Sequence, residues 1–463
     1  MNAPALPHSL RRLGATLAAM LGAVLAEGHL AQVVRGAGLV MGIRIAGAAI
    51  ALLGQVLLAR WMGTFEYGIF AYVWVWVIML GVIAPMGFGT STLRFVPDYR
   101  INAKWRRLAG ILHDSWRVVL VLGLAFMALG LGAIGLLRNE IEAYYVLPLV
   151  LAMMCVPGFA LTDTLEGTAR AFGWVSLAYL PAYIIRPLGI VAVGALIHFM
   201  FGGLTGVAAV AGALAATLLT LAGQRFFLNR RIGAAIPRAK PIRHTRYWVA
   251  ASLPLVLAEG LYLLLLNTDI VLLGYFVDPN EVGIYFAATR ITNLVVFIYF
   301  AVAALAVPKF SELHAAGDRA GLQVFVHNII QWIFWPTLAA AGFLLLIGEF
   351  ALNLFGEGFD KGYPLLAMLM LGFVARASTG PVEYLLNMTG HQNLTAAVYG
   401  AAALLNIALN LALVPRFGLM GAAAGTAASL IFASFCLFLI ARRRLGITSF
   451  VLSRSGFASP ATV

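Results

Sequence analysis

The sequence predicts an all-α polytopic membrane protein with twelve transmembrane helices, arranged as two parallel-repeat six-helix bundles around a central cavity. Of its 463 residues, 62% are hydrophobic and only 11% are charged, whereas a soluble domain is roughly 45–50% apolar and about 25% charged. Twelve apolar stretches reach the length that a helix needs to cross a bilayer. Two short motifs also recur at one fixed interval, which predicts an internal duplication.

The chain opens with a leader, residues 1–37, that precedes the first full-length span. This leader has a basic start, and its apolar run from Leu13 to Ala26 is too short to cross a bilayer comfortably. We interpret it as a cytoplasmic or interfacial segment. A cleaved signal peptide is the alternative.

The spans divide into an N-lobe, 38–224, and a C-lobe, 249–440. A basic linker, 225–248, joins the lobes, and a basic cytoplasmic tail, 441–463, follows them. The predicted spans lie near 38–59, 68–92, 111–137, 142–165, 174–200, 203–224, 249–275, 283–307, 324–348, 362–386, 394–414 and 418–440. The longest connection has only about two dozen residues, so it leaves no room for a separate soluble domain.

The duplication is visible in two pairs of motifs. EYGIFAY at Glu66 reappears as EVGIYFA at Glu281, and GLTGVAAV at Gly203 reappears as GLMGAAAG at Gly418; each pair is 215 residues apart. Six predicted spans separate the copies, so both halves have the same orientation in the membrane. This arrangement predicts a cleft between two bundles, which is where transporters of this kind bind their substrates.

The basic residues indicate the orientation. With a cytoplasmic amino terminus, the cytoplasmic segments collect 22 of the 31 lysines and arginines. The opposite segments collect most of the loop carboxylates, including Glu66, Glu140, Glu281 and Asp360. Lysine and arginine accumulate on the cytoplasmic side of membrane proteins. We therefore predict a multi-pass protein of the bacterial cytoplasmic (inner) membrane with both termini inside, and the net charge of +13 requires no nucleic-acid partner.

Charged side chains within the predicted spans are the candidate functional residues. The five span arginines are Arg44, Arg117, Arg186, Arg290 and Arg376. Placing an arginine at mid-membrane costs about 2.5–3.5 kcal/mol, so such a residue faces a bundle interior or a water-filled cavity. For each arginine, a structural ion pair or snorkelling to the interface is one interpretation, and contact with an anionic substrate is the other.

The acids at comparable depth are Glu259 and Asp269, both on the seventh span. Asp163 and Glu383 lie closer to the cytoplasmic ends of their spans. Asn293 is one helical turn from Arg290 and adds a polar group on the same face. Pairing can neutralise part of the arginine charge, but a cationic excess remains at depth.

The sequence contains no catalytic constellation. HExxH, GxSxG and a phosphate-binding glycine loop followed by lysine are all absent from the sequence. The two cysteines, Cys155 and Cys436, lie in apolar runs and have no metal-site spacing. We therefore expect a non-enzymatic protein without a cofactor. Transport would be driven by an ion gradient, the membrane potential or downhill substrate flux.

Several segments together resemble a known family, the polysaccharide repeat-unit flippases of the Wzx type. These flippases belong to the multidrug/oligosaccharidyl-lipid/polysaccharide (MOP) exporter superfamily. The resemblance covers most of residues 38–445 and is carried by LLARWMGTFEYGIFAYVWVW, LRFVPDY, DIVLLGYFVDPNEVGIYFAATR, AVPKFSEL and LLNMTGHQNLTAAVYGAAALLNIALNLALVPRFGLMGAAAGTAAS. It implies two bundles around a central cavity and export of lipid-linked sugars by alternating access.

The resemblance also suggests roles for individual residues. Related lipid II flippases hold the lipid diphosphate with cavity arginines, and their first-span Arg-x-x-Gly is similar to Arg44 with Gly47. Their arginine after Gly-x-Tyr-x-x-Ala in the eighth span is similar to Arg290. This sequence lacks the two additional carboxy-terminal spans typical of lipid II flippases, which favours a polysaccharide repeat unit as substrate.

On this basis the predicted substrate-binding residues are Arg44, Arg186, Arg290, Arg376 and Asn293. Arginine suits the diphosphate of a polyprenyl-linked oligosaccharide because its guanidinium binds phosphate oxygens in pairs. Glu259 and Asp269 would balance the arginine charge between cycles or carry a coupling proton or sodium ion. The implied partners are membrane lipids and the polymerase and glycosyltransferases of the same pathway.

Two alternative functions are kept open. An organic-cation antiporter of the same superfamily would need a predominantly acidic site, whereas the deep charges here are mainly basic. A membrane glycan polymerase or ligase usually has a large outer loop, and the longest one here, around Glu349 to Lys361, has about thirteen residues.

Overall fold

The computed structural model describes the backbone of residues 28–237 and 239–453, and the side chains of 38–237, 239–253 and 260–453. Every regular element in these ranges is helical, which confirms the predicted all-α membrane fold. In chain order the α-helices are α1 (Gly28–Ile83), α2 (Phe88–Ile101), α3 (Trp105–Leu136), α4 (Ala143–Ala171), α5 (Val175–Leu180), α6 (Arg186–Phe201), α7 (Gly206–Ala235), α8 (Thr245–Phe276), α9 (Pro279–Ala315), α10 (Arg319–Leu346), α11 (Gly348–Asn353), α12 (Tyr363–Thr379), α13 (Val382–Met388) and α14 (Gln392–Leu445).

The described residues contain nine helices that are long and apolar enough to cross a membrane. Two of them are much longer than a bilayer requires: α1 has 56 residues and α14 has 54. Each contains a glycine kink, at Gly63 with φ 71° and at Gly418 with φ 54°. A positive φ is open to glycine at little cost, so the chain changes direction within each helix. The count of twelve spans remains a prediction.

The duplicated motifs lie against each other in a reciprocal contact. A Cβ added to Gly68 of α1 would overlap the carbonyl oxygen of Pro279, and one added to Gly283 of α9 would lie 2.5 Å from the carbonyl oxygen of Thr64. Thr64 and Pro279 are 215 residues apart, as are Gly68 and Gly283. Such reciprocity is expected when a two-fold axis relates two parallel repeats. The boundaries of the two lobes and of the linker remain predictions.

Three predicted spans are interrupted in the structure. The predicted span 174–200 consists of α5, one π-helical turn at Pro181–Ile185, and α6, because Pro181 and Pro187 lack the amide protons that continue an α-helix. The predicted span 362–386 is broken at Gly380, where φ is 71°. The predicted span 68–92 ends at Ile83 in a turn before α2. Apolar length alone does not reveal these breaks, since proline and glycine are common in membrane helices.

Aromatic packing between α1 and α9 closes the molecule at one end, which we call the closed face. The ring of Tyr67 lies 5.7 Å from Phe286 and 5.8 Å from Phe359 between ring centroids. Beside these rings, the Thr64 hydroxyl donates to Oδ1 of Asn280 over 2.6 Å. These contacts tie the second part of α1 to the start of α9.

The opposite end carries the basic loops and is called the basic face. Here the connection between α7 and α8 packs against α2 and α3, with the amide of Ile242 donating to the carbonyl of Arg106 over 3.0 Å. Trp248 at the start of α8 is fully buried, and its indole N–H donates to the hydroxyl of Tyr99 over 3.1 Å. The basic end of α8 is therefore fixed to α2 and α3.

Candidate functional site

A cavity of about 560 Å³ lies between α1, the α5–α6 segment and α9. Its lining is mainly aliphatic and aromatic, with a few polar groups, which is the usual make-up of a ligand-binding cavity. The polar lining residues are Arg44, Gln55, Tyr183, Arg186, Arg290 and Asn293, and the aromatic ones include Phe70, Trp74, Phe159, Phe297 and Phe300. Four of the predicted binding residues, Arg44, Arg186, Arg290 and Asn293, are thus brought together.

One face of α1 forms a wall of this cavity. The wall contains Arg44, Gly47, Ala48, Ala51, Gly54, Gln55 and Leu58, and these spacings of three and four residues place the side chains on one helical face. A Cβ on Gly47 would come within 2.8 Å of Tyr183, and one on Gly54 would come within 2.8 Å of Val191. The glycines therefore bring α1 close to the α5–α6 segment, while Arg44 extends from the same face.

Arg44 is held by aromatic rings rather than by a carboxylate. Its guanidinium carbon lies 5.3 Å from the ring centroid of Tyr179 and 5.6 Å from that of Tyr183. Its buried Nε has no hydrogen-bond partner among the described residues. Stacking on rings orients a guanidinium without neutralising it, so the charge of Arg44 remains available to a ligand.

Arg290 has a similar environment on the facing helix, α9. Its guanidinium carbon lies 4.0 Å from the ring centroid of Phe286, and its buried Nε also lacks a hydrogen-bond partner within the described ranges. Asn293, one turn further along α9, is exposed although it lies far from either end of this 37-residue helix. Together they present one cation and one amide to the cavity.

Arg186 begins α6, directly after the π-helical turn. Its guanidinium carbon lies 4.2 Å from the ring centroid of Phe159, and Nη1 donates to the hydroxyl of Thr162 over 3.4 Å. Asp163 and Glu166, on the same helix as Thr162, interact with Arg186 electrostatically. Arg186 therefore has two carboxylates as electrostatic partners among the described residues, whereas Arg290 has one, Asp269.

The cavity is cationic in character. Its described lining includes three arginines but neither an aspartate nor a glutamate. Guanidinium groups in a mainly apolar cavity bind phosphate or carboxylate oxygens strongly, because the low local dielectric strengthens the attraction and no described lining carboxylate competes. The aromatic side chains beside them offer flat surfaces to the less polar part of the same ligand.

Asp269 lies beside this cavity rather than in its wall. It is buried, and its carboxylate accepts hydrogen bonds from the Tyr285 hydroxyl over 2.5 Å and from the Thr426 hydroxyl over 3.0 Å. A neighbouring space of about 210 Å³ is lined by Asp269 and also by Arg290 and Asn293. The carboxylate and the cavity arginine therefore face one shared space. The side chain of Glu259, the other predicted coupling residue, lies outside the described ranges.

Arg376 does not line the arginine cavity, in contrast to the sequence prediction. It is buried on α12 and donates to Oε1 of Glu383 on α13 over 2.7 Å. It also donates to the hydroxyl of Tyr262, and its guanidinium carbon lies 4.4 Å from the ring centroid of Tyr299. This arginine bridges the break at Gly380. Depth along a span predicted burial correctly but could not specify which way the side chain faces.

The sequence prediction also missed Gln55, Tyr183, Phe159 and Trp74 as cavity residues. A signal for Gln55 was present, because it lies eleven residues after Arg44, or close to three full helical turns. No comparable signal marked the aromatic residues. Phenylalanine and tryptophan occur in a protein core, on a lipid-facing surface and in a cavity wall, so their presence does not distinguish these locations.

Solved structures of known proteins share this fold. A multidrug-resistance transporter of the MATE family, in an inward-facing conformation, aligns over 88% of this chain and 98% of its own with a TM-score of 0.73 and 17% identity. The lipid II flippase MurJ, in an inward closed conformation, aligns over 87% of both chains with a TM-score of 0.71 and 16% identity. The chain is thus a multi-pass membrane protein with the fold of the MOP transporter superfamily.

Sequence comparison identifies the family within that superfamily. The model of the polysaccharide biosynthesis protein family matches residues 33–314, which is more than half of the chain. The chain therefore belongs to the polysaccharide biosynthesis protein family. A Haloferax volcanii protein named Probable low-salt glycan biosynthesis flippase Agl15 is 25% identical over 399 residues, or 83% of this chain and 78% of its own. A second protein from that organism, named Probable flippase AglR, is 30% identical over 173 residues, or 35% of each chain.

Proposed function

We propose that the protein moves a polyprenyl-diphosphate-linked oligosaccharide, the repeat unit of a surface polysaccharide, from the cytoplasmic to the outer leaflet by alternating access. The observation that carries this proposal is the arginine cavity, in which Arg44, Arg186 and Arg290 share one space and the described lining contains no carboxylate. A diphosphate is the part of such a substrate that requires several cations. An organic cation would be repelled by the same three residues.

Arg44 and Arg290 are the main diphosphate ligands in this proposal. Both guanidinium groups are stacked on aromatic rings, and both keep a buried Nε without a partner among the described residues. A phosphate oxygen would satisfy these donors in a charge-assisted hydrogen bond. Arg186, which already interacts with Asp163 and Glu166, would contribute less.

The remaining cavity surface accommodates the sugar. Trp74 and Phe159 offer ring faces, while Gln55 and Asn293 offer amide donors and acceptors. A volume of about 560 Å³ accommodates part of an oligosaccharide rather than a whole repeat unit with its lipid. The polyprenyl chain would stay in the bilayer, where its hydrocarbon is already solvated.

The contacts at the closed face suggest which side the cavity serves in this conformation. Packed aromatic rings occupy that end, where Tyr67 contacts Phe286 and Phe359. The Tyr67 hydroxyl also donates to the side-chain oxygen of Gln55, a cavity residue, over 2.9 Å. If the basic face is cytoplasmic, as the basic loops predict, this is the state that receives substrate from the cytoplasmic leaflet. Export then requires the contacts between α1 and α9 to separate.

Asp269 is proposed to couple transport to a proton or cation. Its carboxylate belongs to a buried hydrogen-bonded chain in which Asn406 donates to the Thr426 hydroxyl over 3.2 Å, and Thr426 donates to Asp269. Because Asp269 and Arg290 face the same space, neutralising the carboxylate would strengthen the attraction of Arg290 for an anionic substrate. Asp269→Asn should therefore uncouple transport from pH and from sodium.

The proposal is tested in a strain deleted for this gene and complemented with single variants at equal abundance. Wild-type protein and Arg117→Gln should restore surface polysaccharide, because Arg117 is exposed and does not line the cavity. Arg290→Gln should not restore it, and lipid-linked repeat units should accumulate facing the cytoplasm. Normal polysaccharide in the deletion strain, with new sensitivity to cationic drugs, would instead favour a multidrug transporter.

A further inference from the structure

We propose that a second pocket, at the basic face, binds a phosphate ester group, and that an anionic phospholipid headgroup of the adjacent leaflet supplies it. This pocket is separate from the arginine cavity and its role does not depend on the transported substrate. It has a volume of about 560 Å³. Its lining residues are Arg94, Phe95, Asp98, Tyr99, Arg107, His244 and Tyr247.

The pocket is formed where two distant parts of the chain meet. Arg94 and Tyr99 lie on α2 and Arg107 on α3, whereas His244 directly precedes α8 and Tyr247 lies within it. These walls are fixed by the buried Trp248, by the Ile242–Arg106 backbone hydrogen bond, and by the Thr245 hydroxyl, which donates to Asp114 over 2.5 Å. The backbone framework of the pocket is therefore set by tertiary packing, and Arg94, Arg107 and Tyr247 extend exposed side chains from it.

Its charge favours an anion. Arg94 and Arg107 form no ion pair within the described part of the chain. The one carboxylate in the lining, Asp98, is compensated by Lys104 at 3.7 Å and by a hydrogen bond from the Asn102 amide over 2.8 Å. The two arginines thus provide the uncompensated charge of the pocket.

Tyr99 supplies a positioned donor at the base. The side chain is 5% exposed, and its hydroxyl oxygen accepts the hydrogen bond from the Trp248 indole. The hydroxyl proton can therefore be donated to a ligand. Two guanidinium groups and a phenol match a phosphate ester, whose oxygens accept several hydrogen bonds at once.

The location identifies the source of the phosphate. The pocket lies at the end of the helices that carries the basic loops, where spans meet lipid headgroups, and basic pockets between transmembrane helices at that level bind anionic headgroups. The pocket is also specific to one half of the chain. At the positions 215 residues later, Lys309 replaces Arg94 and is paired with Glu312 at 2.6 Å, and Leu322 replaces Arg107.

The test uses the full-length purified protein and native mass spectrometry with added phosphatidylglycerol or phosphatidylcholine. The variant Arg94→Gln/Arg107→Gln is compared with Arg230→Gln/Arg443→Gln, which removes the same charge from exposed arginines outside the pocket. We expect phosphatidylglycerol to bind the pocket variant at least about tenfold more weakly than wild type or the matched control. Phosphatidylcholine should bind all three proteins equally weakly.

Two further measurements complete the test. Tyr247→Glu leaves both arginines in place but adds a carboxylate to the pocket, and it should weaken phosphatidylglycerol binding in the same way. Thermal stabilisation by millimolar inorganic phosphate should be seen in wild type but not in Arg94→Gln/Arg107→Gln. That result together with equal phosphatidylglycerol binding by these two proteins would assign the site to a soluble phosphate and overturn the lipid as its source. Equal binding of phosphatidylglycerol and equal response to phosphate in wild type and the pocket variants would overturn the proposal.

Discussion

The arginines within the helices differ in what compensates their charge, and we use that difference to separate candidate binding residues, which are half-buried, from the structural Arg376, which is buried. Arg376 is paired with Glu383 at 2.7 Å, whereas the Nε atoms of Arg44 and Arg290 lack a partner within the described ranges. An arginine that is paired with a protein carboxylate has little uncompensated charge with which to bind a ligand. An arginine without one is costly in the membrane unless a ligand uses it.

This difference leads to a prediction about stability. Removing one partner of a buried ion pair leaves an uncompensated charge and costs about 3–5 kcal/mol. Arg376→Gln should therefore lower the thermal unfolding temperature in detergent markedly, and Arg376→Met/Glu383→Leu should recover much of the loss. Arg44→Gln should leave the unfolding temperature close to that of wild type, because Arg44 forms no ion pair with a described carboxylate.

The opposite pattern is expected for substrate binding. A charge-assisted hydrogen bond contributes roughly 1.5–3 kcal/mol, so Arg44→Gln should weaken binding of a polyprenyl diphosphate about tenfold to a hundredfold. Microscale thermophoresis on purified protein measures this, with Arg117→Gln as the matched control. Unchanged binding in Arg44→Gln would remove Arg44 from the site.

The same arginines show how much of the site could be predicted from the sequence. The cost of charge in a bilayer singled out five span arginines. Arg44, Arg186 and Arg290 line one cavity, whereas Arg376 is buried elsewhere and Arg117 is exposed. Hydropathy gives depth but not direction around the helix, so Arg376 was grouped with the cavity arginines. Its partner Glu383 lies seven residues later, which is about 10 Å along an unbroken helix, so this ion pair depends on the break at Gly380 that the span pattern did not reveal.

At the scale of helices, the contact between α1 and α9 at the closed face is the element that must move in alternating access. Gly68 and Gly283 allow the two backbones to approach closely, with no space for a side chain. The motifs that contain these glycines were recognisable as repeats in the sequence. The contact between the two motifs was not predictable, because a repeat does not reveal which segments meet across the two-fold axis.

A larger side chain should therefore prevent closure. Gly283→Val would place methyl groups against the carbonyl of Thr64, and we expect at least about a tenfold loss of transport with the protein still folded. The matched control is Gly132→Val on α3, where a Cβ would meet open space. Transport by Gly283→Val at the level of Gly132→Val would show that closure at this face is dispensable.

A reversible lock tests the same element without altering its packing glycines. The Thr64 hydroxyl and the Asn280 side-chain oxygen are 2.6 Å apart, so cysteines at these two positions should form a disulfide under oxidation. In a background without Cys155 and Cys436, Thr64→Cys/Asn280→Cys should lose transport when oxidised and regain it when reduced. Each single cysteine variant serves as the control and should be insensitive to oxidation.

At the scale of the whole molecule, orientation gives transport its direction. The basic loops predict that the α7–α8 connection is cytoplasmic and that the segment before α12 is external. Lys240 and Glu357 are exposed residues in these two segments. In intact cells, a membrane-impermeant maleimide should label Glu357→Cys but should label Lys240→Cys only after the membrane is opened. The reverse pattern would invert the proposed direction.

The fold of the whole molecule was the most predictable feature, since apolar length and composition determine membrane helices strongly. The breaks at Pro181 and Gly380 do not follow from apolar length, because whether a proline or glycine interrupts a span depends on how neighbouring helices replace the lost hydrogen bonds. The break at Gly380, for example, is bridged by Tyr299, whose hydroxyl donates to the Glu383 carboxylate over 2.7 Å and lies 3.1 Å from the Gly380 carbonyl oxygen. Such compensation is a property of the packed bundle and not of the span itself.

The most direct test of the central claim is translocation of a fluorescent polyprenyl-diphosphate oligosaccharide in proteoliposomes. Wild type, Arg290→Gln and Arg117→Gln are compared at equal protein content. Wild type and Arg117→Gln should move the lipid between leaflets, and Arg290→Gln should be slower by at least about tenfold. Equal rates for all three proteins, or no rate above that of empty liposomes with wild type, would contradict a flippase whose cavity arginines bind the diphosphate.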